Sequence, residues 1–287
     1  MEWHDIRDPN DRLLDELAVT YNLHPLHVED CRNRNQSAKI ELQNGYLFVV
    51  LKPVDMKEDC TLNIADLDFF VGPGWIITVQ EHQCVNAADS LNRVRQRGQQ
   101  RPDEIFHRVM DGVVDGYQPI IDKASDLIDE MEDRVLSEPD PAMLEQVFDL
   151  KRVLVQLRRI LANTRDVVGH ILRNESPVIG RDLIPFFRDV YDHLVRNLDL
   201  IEVQRDLLTG VTELYLSNVA NRTNQVMKVL TVFGTIATPA LVITGVYGMN
   251  LKHLPFAETE HSWGIVMMII SLVSFLMLAV LKRMKLL

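Results

Sequence analysis

The sequence predicts an α+β protein: a small N-terminal α/β domain and an acidic helical hairpin lead to a long stalk helix, which continues into the first of two C-terminal transmembrane helices. Three observations predict this fold. β-Forming runs with hairpin turns fill the first third, helical periods of three and four residues follow Asp89, and two uncharged apolar stretches lie near the end. The expected domains are 1–185 for the α/β part with its hairpin, 186–225 for the stalk, and 226–287 for the transmembrane hairpin.

The first third combines a helix cap with β-hairpin signals. Asp8 followed by Pro9 predicts a helix that reaches about Tyr21, because proline suits the first helical position. Two hairpins are expected, one turning at Asn44-Gly45 and the other across Gly72-Pro73-Gly74. A small sheet with helices around it follows from this pattern.

Helical periods dominate the middle of the chain. One long acidic helix is expected over 103–137, and Pro139 and Pro141 separate it from a second helix over 142–174. A short proline-containing turn between two helices favours an antiparallel pair.

A longer helix is expected after Pro185, where apolar residues recur in a near-heptad pattern as far as Tyr215. No proline then appears before Pro239, so we expect one helix over about 186–247. A stalk of this length would not be stable alone, and the apolar seam predicts that it packs against copies of itself.

Two stretches, 229–247 and 263–281, contain no charged residue. Each approaches the roughly 20 apolar residues that cross a ~30 Å hydrocarbon core. A buried helix of a soluble protein has the same composition, but two such stretches joined by a short polar loop favour a transmembrane hairpin.

Basic residues predict how this hairpin is oriented. Arg222 and Lys228 precede the first stretch, and Lys282, Arg283 and Lys285 follow the second. The flanks of transmembrane helices that carry the excess of lysine and arginine face the cytoplasm, so both termini are expected in the cytosol. The hairpin is expected to cross the cytoplasmic (inner) membrane. The first residues show no basic and apolar signal pattern, so no signal peptide is expected.

The charge balance narrows the choice of partner. Asp and Glu outnumber Lys and Arg by 41 to 30, which gives a net charge of −11. Nucleic-acid binding needs the opposite sign, whereas an acidic surface attracts cations. The three cysteines have no metal-site spacing and are expected to be free thiols, and no set of motifs indicates an enzyme.

One face of the first transmembrane helix carries small and hydroxylated side chains. Taken in steps of three and four, this face contains Asn224, Met227, Thr231, Gly234, Thr238, Leu241 and Gly245. Such a face suits either close helix packing or the wall of a narrow aqueous pore.

The segment Tyr247-Gly248-Met249-Asn250 at the end of this helix resembles the YGMN signature of the CorA family of magnesium and divalent-cation transporters. Residues 224–231 and 185–193 also resemble that family. The resemblance covers essentially the whole chain. It implies a homopentameric Mg²⁺ channel, possible passage of Co²⁺ or Ni²⁺, and a selectivity ring formed by Gly248, Met249 and Asn250.

The same resemblance implies that intracellular Mg²⁺ gates the channel through cytosolic carboxylates. The residues that fall at the regulatory positions are Glu29, Asp30, Asp111, Asp115 and Asp189. Asp30 of one subunit would then face Asp189 of a neighbour. Glu213 on the stalk either lines the vestibule or is simply exposed.

Two alternatives remain open. The outer-loop sequence is Leu254-Pro255-Phe256-Ala257, where the family commonly has MPEL. This difference leaves the ion preference open, and a Zn²⁺ transporter of the same superfamily is the first alternative. A membrane-anchored oligomeric scaffold or sensor without transport is the other. Histidines such as His24 and His27 are more readily interpreted as structural residues than as Zn²⁺ ligands.

Overall fold

The computed structural model describes residues 2–33, 36–58, 60–80, 84–96, 98, 100–137, 140–173, 176–249 and 261–283. It divides into two compact units, Met1–Glu213 and Leu214–Leu287. The predicted fold class is confirmed: a mixed α/β unit comes first, and a long helix continues into a C-terminal apolar segment.

The first unit contains a five-stranded mixed sheet and a separate two-stranded hairpin. The sheet strands are β1 Glu2–Ile6, β2 Lys39–Gln43, β3 Tyr46–Leu51, β6 Leu67–Gly72 and β7 Trp75–Gln80, in the order β1-β7-β6-β3-β2. Only the β1–β7 pair of this sheet is parallel. The small hairpin pairs β4 Val54–Met56 with β5 Leu62–Ile64.

Both predicted hairpin turns are confirmed. Asn44 and Gly45 connect β2 to β3 with φ angles of 51° and 82°, the left-handed pair that a two-residue type I′ turn requires. Pro73 and Gly74 connect β6 to β7, and Gly74 supplies a φ of 86°. Each turn sets the register of the two strands that it joins.

The helices of the first unit surround the sheet. They are α1 Arg12–Thr20, α2 Pro25–Arg32, α3 Val85–Arg95, α4 Pro102–Asp115, α5 Gln118–Ser137 and α6 Pro141–Arg173, followed by a 3-10 turn at Arg181–Leu183. Every residue of β3 and of β6 is buried, because helices cover both faces of the sheet.

The predicted start of α1 is wrong by one turn. Asp8 does not cap the helix: its carboxylate accepts a hydrogen bond from Asn10 N–H at 2.9 Å, within a turn that includes Pro9. Asp11 is the N-cap instead and accepts from Leu13 N–H at 3.0 Å. An aspartate three residues before another capping residue forms a local turn as readily as a cap.

The prediction of a single helix over 103–137 is also wrong, because the chain forms two helices there, α4 and α5. Tyr117 is fully buried at the break, and its hydroxyl donates to Lys52 O at 2.8 Å. A Cβ on Gly116 would lie 2.2 Å from the Asn86 side chain. The glycine that caps α4 and the proline three residues after it mark the same break in the sequence, and these tertiary contacts reinforce it.

Two further helices follow in the described part of the chain. The α7 helix spans Ile184–Tyr247, 64 residues, and contributes to both units. The α8 helix spans Ser262–Arg283 and lies in the second unit. Both are long and apolar enough to cross a membrane.

Candidate functional site

The apolar parts of α7 and α8 expose large side chains. Val229 and Phe233 on α7 are 70% and 71% exposed, and Phe275 on α8 is 72% exposed. A continuous apolar surface of this kind is costly in water and is expected where lipid or another apolar partner covers it.

The residues of the predicted polar face all lie on the continuous helix α7, so their spacing of three and four places them on one side of it. Its hydroxyl groups are satisfied internally: Thr231 donates to Met227 O and Thr238 donates to Gly234 O, each at 2.7 Å. Each hydroxyl oxygen keeps lone pairs that can accept from water. The helix can therefore place oxygen acceptors in a membrane without leaving donors unpaired.

Part of this face borders α8 of the same chain. Thr231, Gly234, Thr235 and Thr238 line a groove of about 670 Å³ whose other wall is formed by Leu276, Met277, Val280 and Leu281. Asn224, Met227, Leu241 and Gly245 do not line this groove. Part of the predicted face therefore borders a groove beside α8, and the rest of it does not.

The Gly248-Met249 segment closes α7. Gly248 N–H donates to Thr244 O at 2.8 Å, and Met249 N–H donates to Val246 O at 3.2 Å. A Cβ on Gly248 would lie only 3.0 Å from Thr244 O, so the backbone approaches too closely for an easy substitution. Asn250 lies outside the described residues.

A second candidate site is an acidic cluster in the first unit. Ligand atoms of Asp111, Asp115 and His193 all lie within 4.8 Å of one another. His193 Nδ1 is 3.9 Å from Asp115 Oδ1, and His193 Nε2 is 3.9 Å from Asp189 Oδ2. Two carboxylates and one imidazole are close enough to share a divalent cation, and Asp189 lies beside the other nitrogen of the imidazole.

Packing of α4 against the first turns of α7 brings this acidic cluster together. The rings of Phe106 on α4 and Phe187 on α7 are 5.8 Å apart, and the His107 ring meets Phe187 edge-on at 4.9 Å. Asp111 and Asp115 are four residues apart on α4, so both project from the same side.

The acidic cluster carries unfavourable charge in the absence of a cation. Burial is the largest cause that raises the pKa of Asp111. The negative charges of Asp115 and, to a smaller extent, Asp189 raise it further. The neighbouring imidazoles of His107 and His193 oppose this rise. A bound cation would reduce the repulsion among these carboxylates.

The other two predicted ligands have partners within their own chain. Asp30 accepts from Lys39 Nζ at 2.7 Å and from Gln36 Nε2 at 3.2 Å, and Glu29 accepts from Asn33 Nδ2 at 3.4 Å. Among the described residues, neither Glu29 nor Asp30 belongs to the group formed by Asp111, Asp115 and His193. Glu213 is exposed on α7.

Sequence reasoning missed His193 and Lys39 as site residues. The four-residue spacing of Asp189 and His193 on α7 was a usable signal, since it places both side chains on one helix face. Lys39 had no local signal, because it lies on β2 and its partner Asp30 on α2.

An α/β unit followed by two exposed apolar helices defines a membrane protein with a large extramembrane part. The model of the family described as CorA-like Mg²⁺ transporter protein matches residues 1–283, and the chain belongs to this family. Its class of function is therefore divalent-cation transport across a membrane. The predictions of this family and of a non-enzymatic role are confirmed.

The chain is 33% identical over 276 residues to the cobalt/magnesium transport protein CorA of Thermotoga maritima, covering 92% of this chain and 77% of that protein. Its fold is similar to the solved structure of the CorA magnesium transporter from Methanocaldococcus jannaschii, with a TM-score of 0.84 at 23% identity, covering 98% of this chain and 90% of that one.

The ZntB cytoplasmic domain from Vibrio parahaemolyticus also has a similar fold, with a TM-score of 0.62 at 11% identity. That match covers 76% of this chain and 88% of the ZntB domain. At this identity the similarity concerns the fold alone.

Proposed function

We propose that this chain mediates Mg²⁺ uptake across the cytoplasmic membrane and that Co²⁺ or Ni²⁺ are further substrates. The observation that carries the proposal is the polar face of α7, which leads to Gly248 and Met249 through the uncharged, otherwise apolar stretch 229–247. A helix that served only as an anchor would not need this face. The relative in Thermotoga maritima, named for cobalt and magnesium transport, supports the choice of ions.

In this proposal five copies assemble around a pore lined by α7. The lining residues are Glu213 in the vestibule and Asn224, Met227, Thr231, Gly234, Thr238, Leu241 and Gly245 in the membrane, with Gly248, Met249 and Asn250 at the outer entrance. Mg²⁺ gives up its water reluctantly, so hydroxyl, amide and carbonyl oxygens that bind its waters select the hydrated ion.

The orientation of the helices follows from the basic residues that flank them. Both termini are cytosolic, and the short loop between α7 and α8 faces outward. The acidic first unit therefore samples the intracellular Mg²⁺ concentration.

Intracellular Mg²⁺ closes the channel through the cytosolic carboxylates. Asp111 and Asp189 contribute to one site with Asp115 and His193, and Asp30 of one subunit faces Asp189 of a neighbour, with Glu29 nearby. When Mg²⁺ is scarce, repulsion among these groups separates the subunits. When Mg²⁺ binds, it stabilises the closed state, because a ligand favours the state that it binds more tightly.

Zn²⁺ transport is the second candidate, and the imidazole of His193 in the acidic cluster favours it. A nitrogen ligand beside carboxylates suits Zn²⁺, Co²⁺ and Ni²⁺ better than Mg²⁺. Comparing the ions in one flux assay separates the two candidates.

A growth assay tests the proposal. In cells that need added Mg²⁺ to grow, the wild-type chain should restore growth and Asn250→Ala should not, since the change removes an oxygen from every subunit at once. Full rescue by Asn250→Ala at equal membrane expression would remove the outer ring from the mechanism. Failure of the wild-type chain to rescue growth with any of the ions would favour a scaffold.

A further inference from the structure

Both carboxylate oxygens of Asp30 are occupied by donors from its own chain. Oδ2 accepts from Lys39 Nζ at 2.7 Å, and Oδ1 accepts from Gln36 Nε2 at 3.2 Å. The Asp30 side chain is 20% exposed and that of Lys39 is 29% exposed, so the ion pair is partly shielded from water. A hydrated cation that approaches Asp30 must displace one of these donors.

Lys39 has a second anionic partner. Its ammonium group is 2.8 Å from Glu41 Oε1, and the two residues project from the same face of β2 because they are two apart on a strand. Nζ also lies 5.4 Å from the centre of the Phe48 ring. Lys39 can therefore release Asp30 and still remain paired with Glu41.

Glu41 is held in place by the protein core. Its Oε2 is 3.1 Å from Nε2 of the buried His27, whose ring stacks on Phe48 at 4.3 Å. His27 Nδ1 is 2.8 Å from the Tyr46 hydroxyl, and this hydroxyl accepts from His24 N–H at 2.9 Å. Because the Glu41 carboxylate only accepts, Nε2–H of the neutral His27 ring donates to it, and Nδ1 accepts from the Tyr46 O–H.

We propose that Lys39 is a tethered competitor for divalent cations at Asp30, and that its transfer to Glu41 sets the Mg²⁺ concentration at which this carboxylate is filled. This inference rests on the proposed regulatory role of Asp30 and adds a residue that tunes it. The ammonium group takes the place of the cation when Mg²⁺ is low. Partly exposed ion pairs have modest strength, so we expect removal of Lys39 to lower the Mg²⁺ midpoint about two- to tenfold.

The test measures how Mg²⁺ protects the full-length protein in detergent from limited proteolysis. Lys39→Gln should shift the midpoint of protection to lower Mg²⁺, whereas Lys39→Arg, which keeps the charge, should shift it much less. The exposed Lys57→Gln removes one positive charge elsewhere in the same unit and controls for net charge. Digestion rates without Mg²⁺ identify any variant that is simply misfolded.

A double-mutant cycle separates competition from general electrostatics. If Lys39 acts through Asp30, Lys39→Gln should have no further effect in an Asp30→Ala background. Suppose that Asp30→Ala alone weakens protection. The inference is then wrong if Lys39→Gln shifts the midpoint no more than Lys57→Gln does, or if Lys39→Gln shifts it equally in the wild-type and Asp30→Ala proteins. If Asp30→Ala leaves protection unchanged, the proposed regulatory role of Asp30 itself fails and the inference fails with it.

Discussion

Asp68 is a carboxyl group enclosed within the first unit, on β6. Burial, reinforced by the nearby Asp66 carboxylate, raises the pKa of Asp68 to about 7, against the opposing effects of the Cys31 thiol and the Lys52 ammonium group. Lys52 itself forms a buried ion pair with Asp66. Asp68 is thus a proton-binding group that the proposed transport mechanism does not use.

We expect Asp68→Asn to stabilise the protein above pH 7. An unfolded aspartate loses its proton near pH 4, whereas folded Asp68 keeps it until about pH 7. Stability should therefore fall as pH rises from about 4 to 7, by on the order of 4 kcal/mol, and the amide should abolish that loss. Thermal unfolding followed by circular dichroism across this range measures the effect, with the exposed Asp206→Asn as the control. Equal pH slopes in wild type and Asp68→Asn would contradict it.

His193 should determine which ions the acidic cluster prefers. Because imidazole suits transition metals and Mg²⁺ prefers oxygen, His193→Ala should weaken Co²⁺ binding about tenfold or more and Mg²⁺ binding much less. Isothermal titration of the purified protein with each ion measures this difference. Loss of Mg²⁺ and Co²⁺ affinity in equal proportion would mean that His193 only supports the fold.

Among the secondary-structure elements, local chemistry was enough to predict the two hairpin turns but not the residue that caps α1. The Asn44-Gly45 turn predicted β2 and β3, and the helical period of α7 predicted its course. The sequence did not predict β1, because it pairs in parallel with β7, and Glu2 lies opposite Trp75. The break at Gly116 has a local signal, a glycine cap followed by Pro119, which the prediction of a single helix overlooked.

The acidic cluster was predictable in part. Asp111, Asp115 and Asp189 were expected by family resemblance, and the structure groups the first two with His193. The pairing of Asp30 with Lys39 depends on how α2 meets β2, which sequence spacing does not encode. Side-chain interactions between different helices and strands are therefore what the sequence alone does not predict.

The polar face of α7 offers a test of packing against pore lining. Thr231→Val and Thr238→Val keep the side-chain shape but remove an oxygen, so a pore should lose several-fold of its Mg²⁺ flux. Stability should change by only about 1 kcal/mol, because each hydroxyl bonds within its own helix. Thr244→Val is a matched control, since Thr244 donates to Ala240 O at 2.7 Å and lies off the predicted face. Unchanged flux in the first two variants would assign this face to packing.

The whole molecule has a net charge of −11 and two apolar helices. Its first unit is acidic, and its second unit contains the apolar segments that are expected to cross the membrane. An acidic surface raises the local concentration of cations at low ionic strength. The proposal needs that surface inside the cell, where it can respond to the ion that the membrane unit has admitted.

Cysteine labelling tests this orientation. A membrane-impermeant maleimide added to intact cells should label a cysteine introduced at Ser262 and should not label one introduced at Leu287. The native cysteines Cys31, Cys60 and Cys84 lie in the first unit and should stay unlabelled. The reverse labelling pattern would place the acidic unit outside and overturn the proposed regulation.

Ion-resolved flux into liposomes tests the central claim most directly. Purified protein should admit Mg²⁺ to vesicles that contain a Mg²⁺-sensitive dye, and Asn250→Ala should reduce this uptake to the level of protein-free vesicles. Asn10→Ala, an equivalent change in the soluble unit, should leave it intact. Absence of Mg²⁺ uptake by correctly folded wild-type protein, or equal uptake by Asn250→Ala, would contradict the account.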